Sequence, residues 1–217
     1  MNTFDLKKEI PLWILIALPM IYLASIWGTL PDTVPIHFNA KGEADGWGSK
    51  TSLIWLPLAM TLGTYLLMVF IPKIDPKKTL NQMGNKYNLI KMFMVLFMAL
   101  LSCFIIRSAK TGSIGGGGSW VFVIVGAMLT VLGNYMPSIK PNYFIGVRTP
   151  WTLENETVWK KTHRLTGKLW VPAGILLAFS PFVIDMETFQ PIFMTILAVI
   201  VLVPLVYSYL EFQKVTK

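Results

Sequence analysis

Five stretches of this chain, residues 10–29, 51–71, 119–136, 169–184 and 188–210, contain no charged side chain, and a sixth, 87–106, contains only Lys91. A helix crossing a hydrocarbon layer roughly 30 Å thick needs roughly 20 apolar residues, because it rises about 1.5 Å per residue. Six such stretches in 217 residues leave little chain for anything else. Backbone polar groups in hydrocarbon must be satisfied within the spanning segment itself. The expected fold is therefore all-α, a polytopic membrane bundle of six transmembrane helices. A charged content of only 14% agrees, since soluble domains average about 25%. Lys91 sits near the start of its stretch, where its ammonium is expected to snorkel to the interface. Lys7 and Lys8 precede an apolar run longer than the roughly 7–15 residues of a signal-peptide core, and no A-x-A site follows, so the first stretch is read as a retained helix.

The basic residues orient the bundle. Of 19 Lys and Arg, fifteen lie in the two tails, in the segment between spans two and three together with Lys91 at the start of span three, and in the segment between spans four and five. The other four are Lys41, Lys50, Arg107 and Lys110. The positive-inside rule then predicts an N-in/C-in membrane protein, with residues 30–50 outside and residues 137–168 in the cytoplasm. The chain divides on this reading into residues 1–86, two spans with the outer loop, and residues 87–217, four spans with the cytoplasmic loop. The net charge of +8 lies between apolar stretches rather than on one soluble surface. That favours membrane lipids over direct nucleic-acid binding.

Little in the chain points to chemistry. His37 and His163 fall on opposite sides of a layer roughly 30 Å thick and cannot share a metal. Neither H-E-x-x-H nor G-x-S-x-G occurs. No water-facing segment reaches the roughly 40 residues below which a domain needs staples to fold. Neither an enzyme nor a cofactor is expected. Cys103 stands alone in an apolar run, so no disulfide forms within the chain. The span centres carry no ionisable residue, which disfavours a coupled pump; a peptide or small-solute transporter is the alternative reading. The tract "GSIGGGGS" at 112–119 fits no phosphate-binding motif and reads as a flexible connector. Prolines in the spans, such as Pro19, Pro57, Pro172 and Pro204, are read as packing kinks.

Two loops stand out. The outer one, "LPDTVPIHFNAKGEADGWGSK", has prolines that stiffen its start, glycines that permit tight turns, and an unusual share of apolar and aromatic residues. It is either a compact, ligand-contacting cap or an interfacial loop with its tryptophan among the headgroups. The inner loop contains "NYFIGVRTPWTLENETVWKKTHRLTGKLW". Prolines keep its first half extended. From about Thr152, Val158, Thr162, Leu165 and Leu169 recur at helical spacing, which predicts a short amphipathic helix leading into span five, capped by Thr152 or Asn155. Its basic face suits anionic lipid, whereas Arg148, Trp151, Trp159 and Arg164, expected to be exposed, have the composition of a protein-docking surface.

The outer loop resembles the hallmark of a small domain of unknown function found near the N terminus of certain bacterial membrane proteins. The inner loop closely resembles the C-terminal signature of the SdpI family, immunity proteins against the sporulation-delaying killing factor. The resemblance spans essentially the whole chain. It implies protection from a secreted, membrane-active peptide toxin. For members encoded beside a helix-turn-helix autorepressor, it also implies capture of that repressor at the membrane. On this resemblance Pro35, His37, Phe38, Asp45, Gly46 and Trp47 are the candidate toxin-binding residues. Asn142, Gly146, Arg148, Thr149, Trp151, Trp159, His163 and Arg164 are the candidate partner or signalling residues.

Overall fold

The computed structural model describes residues 6–39, 43–113 and 119–216. In chain order it contains α1 (Leu6–Ile26), β1 (Thr33–Phe38), β2 (Ala44–Ser49), α2 (Ser52–Ile74), α3 (Asn85–Thr111), α4 (Ser119–Tyr135), α5 (Pro150–Glu154), α6 (Glu156–Phe179) and α7 (Met186–Thr216). Six helices are long and apolar enough to cross a membrane. Many of their large apolar residues stay exposed, Ile21 at 67% and Leu67 at 63% among them, as expected of surfaces facing lipid. Residues 114–118 of the glycine tract lie outside the described residues.

The chain forms two compact units, one of Thr3–Met68 with Lys91–Ile124 and one of Val69–Ile90 with Val125–Lys217. In the first, Leu23, Ile26, Leu30, Val34, Leu53, Ile106 and Ala109 form a buried cluster. Val34 roots the hairpin of β1 and β2 in it. The strands pair antiparallel, with Thr33 opposite Ser49 and Pro35 opposite Trp47, and the register breaks on both sides of His37. The outer loop is thus a two-stranded sheet attached to an otherwise helical chain. Near the start of α1, Glu9 bonds Lys91 at 2.6 Å, and the ammonium lies 5.7 Å from the Tyr65 ring centre. Lys91 is only 6% exposed. The expectation that it snorkels to water is therefore corrected: a buried ammonium is tolerated here because a carboxylate neutralises it.

In the second unit α4 and α6 approach until their backbones touch. Gly126 and Gly133 lie seven residues apart on α4, and Gly167 and Gly174 seven apart on α6, so each pair stays on one helix face. A Cβ at Gly174 would stand 2.5 Å from the Gly126 carbonyl oxygen, and one at Gly167 2.7 Å from the Gly133 carbonyl oxygen. Small residues permit such approach in a bilayer, where no hydrophobic force drives helices together and dispersion contacts must do so.

Helix α6 corrects the expected fifth span. The short amphipathic helix and the span are one 24-residue helix. Asn155 caps it by accepting the Thr157 and Val158 amides, and nothing between there and Pro172 breaks it. It stops at Phe179, short of the predicted residue 184, because Pro181 lies in the tighter turn that follows.

The glycine contact is testable. Gly174→Val is expected to destabilise the protein by about 1–3 kcal/mol through overpacking. Gly63→Ala, whose new Cβ meets nothing within 4 Å, should leave stability unchanged or slightly raised. Thermal unfolding of both variants in detergent checks this; equal losses would mean that the α4–α6 approach is not a stabilising contact.

Candidate functional site

The hairpin in the first unit gathers all six candidate residues of the outer loop. His37 Nδ1 lies 2.5 Å from Asp45 Oδ1 across the strands. A Cβ on Gly46 would meet the His37 Cβ at 2.8 Å, so glycine lets the ring side of β1 close over β2. Pro35 is buried and Phe38 partly so. Asn39 and Glu43 close the turn by reciprocal bonds, amide to Asn39 Oδ1 at 3.0 Å and Asn39 Nδ2 to Glu43 Oε2 at 3.0 Å. At the base, the Lys50 ammonium bonds Asp32 at 2.7 Å and holds its carboxyl below the usual carboxylate range. Most of these polar groups are engaged within the hairpin itself. Beside the exposed side chains of His37 and Asp32 it presents two large apolar ones, Trp47 at 57% and Ile36 at 56%.

The inner-loop residues lie in the second unit, where side chains supply the hydrogen bonds that an irregular backbone lacks. Asn142, fully buried, donates to the carbonyls of Lys140 and Ile145 and accepts from the amides of Phe144 and Ile145 at 2.7 Å each. Trp159 donates its indole N–H to the Ile139 carbonyl at 2.7 Å and stacks on His163 with ring centres 4.0 Å apart. His163 Nδ1 lies 2.9 Å from the Trp159 carbonyl, and Nε2 accepts from the Val147 amide at 3.1 Å. A carbonyl only accepts and an amide only donates, so the ring carries its proton on Nδ1. Gly146, at φ +107°, passes beneath that ring, and a Cβ there would collide with Nε2. Thr149 caps α5 in a reciprocal box with Thr152 and reaches Ser208 of α7 at 3.1 Å.

A second loop is tied to this one. Asp75, 2% exposed, accepts the amides of Lys77, Thr79 and Leu80. Thr79 donates to the Pro141 carbonyl at 2.7 Å, and Lys77 to the Leu153 carbonyl at 3.1 Å. The result is a platform built from residues 75–82 and 139–155, tied together by hydrogen bonds, on the first turns of α6.

Five of the eight inner candidates, Asn142, Gly146, Thr149, Trp159 and His163, are therefore interior parts of the platform. Trp159, expected to be exposed, is fully buried, because its N–H finds a carbonyl partner and its ring a stacking partner. Trp151 is half-buried against Tyr209, ring centres 5.0 Å apart. Arg148 and Arg164 remain exposed. Arg148 bonds the Tyr143 carbonyl at 2.6 Å, while Arg164 forms no ion pair among the described residues. Lys161 and Lys214 share the buried Glu211 at 2.6 and 2.7 Å. Asp75 and Glu211 were missed by sequence reasoning, and Thr152, expected only as a possible cap of α6, instead completes the Thr149 box that caps α5. Only Asp75 carried a local signal, as an aspartate directly before a proline. No group of three or more His, Cys, Asp or Glu that fits a metal ion occurs among the described residues.

Comparison with known proteins draws both loops into one assignment. Residues 138–208 match the SdpI/YfhL protein family, and residues 14–61 match a domain of unknown function, DUF1648. The chain is 29% identical over 179 residues to the protein named "Immunity protein SdpI" of Bacillus subtilis (strain 168), across 82% of this chain and 83% of that protein. It is 38% identical over 56 residues to an uncharacterized protein of Archaeoglobus fulgidus, across 26% of this chain and 31% of that protein. No solved structure matches the chain significantly. Six membrane-length helices and these relatives make it a multi-pass protein of the cell membrane. Residues 138–208 thus carry the signature of the SdpI/YfhL protein family, with a DUF1648 domain in front of them.

Proposed function

We propose that this is an integral membrane immunity protein that protects its cell from a secreted, membrane-active peptide toxin by binding rather than by catalysis. Likeness to an immunity protein over most of both chains supports the reading. The structural observation that carries it is the hairpin, an ordered support holding Trp47 and Ile36 more than half exposed. In this reading both termini are cytoplasmic, the hairpin meets the toxin outside, and the platform faces the cytosol. There Arg148 and Arg164 form the docking surface for a helix-turn-helix repressor. A guanidinium fork engages carboxylates in two parallel hydrogen bonds, which suits an acidic partner face.

Topology is tested first. Single cysteines at Thr33 and Thr157, in a Cys103→Ser background, are exposed to an impermeant thiol reagent. The residue-33 probe should label in intact cells and the residue-157 probe only after lysis. The reverse pattern overturns the orientation.

Trp47→Ala tests the hairpin. Truncating one aromatic anchor commonly costs about 2 kcal/mol or more, roughly thirtyfold in affinity. Survival under toxin should fall at unchanged membrane levels of protein. Full survival would reduce the hairpin to a connector.

The platform is tested with paired variants. Arg148→Ala with Arg164→Ala should abolish recruitment of a cognate repressor, followed as a fluorescent fusion, while survival stays largely intact. The double Arg→Lys variant should also recruit poorly, since lysine lacks the fork. Full recruitment by it would assign the surface to charge alone.

A further inference from the structure

A groove of about 510 Å³ runs between α1, α3 and the start of α4 within the first unit. That volume lies in the range of small-molecule pockets, roughly 300–1,000 Å³. Its walls are apolar, with Leu18 and Ile21 from α1 and Phe104 from α3, and its sole charged lining residue is Arg107. Arg107 lies in the last turns of α3, and Trp120 lines the groove from the first turn of α4. Arg107 forms no ion pair among the described residues, and Trp120 is half exposed. An Arg and a Trp at the ends of adjacent helices mark the level of the lipid headgroups. Below them the rim is apolar, Leu18 44% and Ile21 67% exposed, so the groove opens on a surface suited to hydrocarbon rather than water.

We infer that this groove is a phospholipid site, with an acyl chain along Leu18, Ile21 and Phe104 and the phosphate on the Arg107 guanidinium. The match is one of charge and polarity together. The groove offers one forked cation at its headgroup end and a long apolar wall beneath, and a phospholipid offers one phosphodiester and a long apolar chain. An extended peptide fits worse, because its amides and carbonyls would be left unmet along an apolar wall, at a cost of several kcal/mol each in hydrocarbon. An acyl chain carries no such groups. The inference is independent of toxin binding, since it rests on the groove alone.

Cys103 also lines the groove, four residues before Arg107, and reports on it directly. The native protein in a neutral maltoside detergent is alkylated with monobromobimane while dioleoylphosphatidylglycerol is added. Alkylation should slow saturably. Dioleoylglycerol, which has the same chains but no phosphate, should need about tenfold more, the value of one charged hydrogen bond. Arg107→Gln should erase that difference between the two lipids, and Arg107→Lys should keep part of it. Because Arg107→Gln carries its own folding risk, Ile124→Trp gives a second arm that fills the groove and leaves Arg107 in place. It should lose one tightly retained phospholipid by native mass spectrometry. Equal protection by both lipids in the native protein, or none by phosphatidylglycerol, overturns the inference. So does protection that tracks protein concentration, which would assign the groove to a second copy of the chain. Protection by an apolar peptide but not by lipid would assign it to a peptide and overturn it equally.

Discussion

Gly126 against Gly174 and Gly133 against Gly167 bring α4 and α6 into backbone contact, and the inner-loop platform depends on where that contact holds α6. Water supplies no hydrophobic force between helices inside a bilayer, so close packing has to come from shape. Glycines seven residues apart provide it by removing side chains from one stripe of each helix. The same contact places the first turns of α6 beneath the loop that follows α4. Trp159 and His163 then point at Ile139 and Val147 across a distance that one hydrogen bond closes.

The platform follows from a second constraint. Its backbone is neither helix nor strand, so its amides and carbonyls need partners from side chains. Asn142 meets four of them, His163 and Asp75 meet others, and Thr79 joins the two loops. Burial of these polar side chains is tolerable because nearly every one is satisfied. What remains exposed is mostly cationic, two guanidinium groups and several ammonium groups, beside the carboxylates of Glu154 and Glu156 and the ring of Tyr143.

The hairpin solves a related problem at smaller scale. An isolated two-stranded hairpin is marginal in water. Here Val34 inserts into the cluster around Leu53 and Ile106, the Asp32–Lys50 pair closes the base and His37–Asp45 spans the middle. Those anchors release Trp47 and Ile36 for contact with something else.

Membrane character and the number of spans were legible in local composition, and the α6 cap was narrowed to Thr152 or Asn155, of which the structure uses Asn155, because hydropathy and capping are properties of short windows. The glycine spacing on α4 and α6 was equally present in the chain, but a pair of glycines seven apart signals contact only once its partner helix is known. The tertiary structure alone decided three matters. Lys91 is neutralised rather than solvated because Glu9, 82 residues away, reaches it. Trp159 is buried rather than exposed because the Ile139 carbonyl and the His163 ring meet it. The covered face of α6 keeps Val158 and Thr162 of the expected stripe but turns toward Trp159, His163, Thr166 and Gly167, leaving Leu165 and Leu169 only half-buried. Hydrophobic periodicity finds the side of a helix that shuns water. It does not find a side that carries His163, whose Nε2 accepts the Val147 amide only after distant segments have come together.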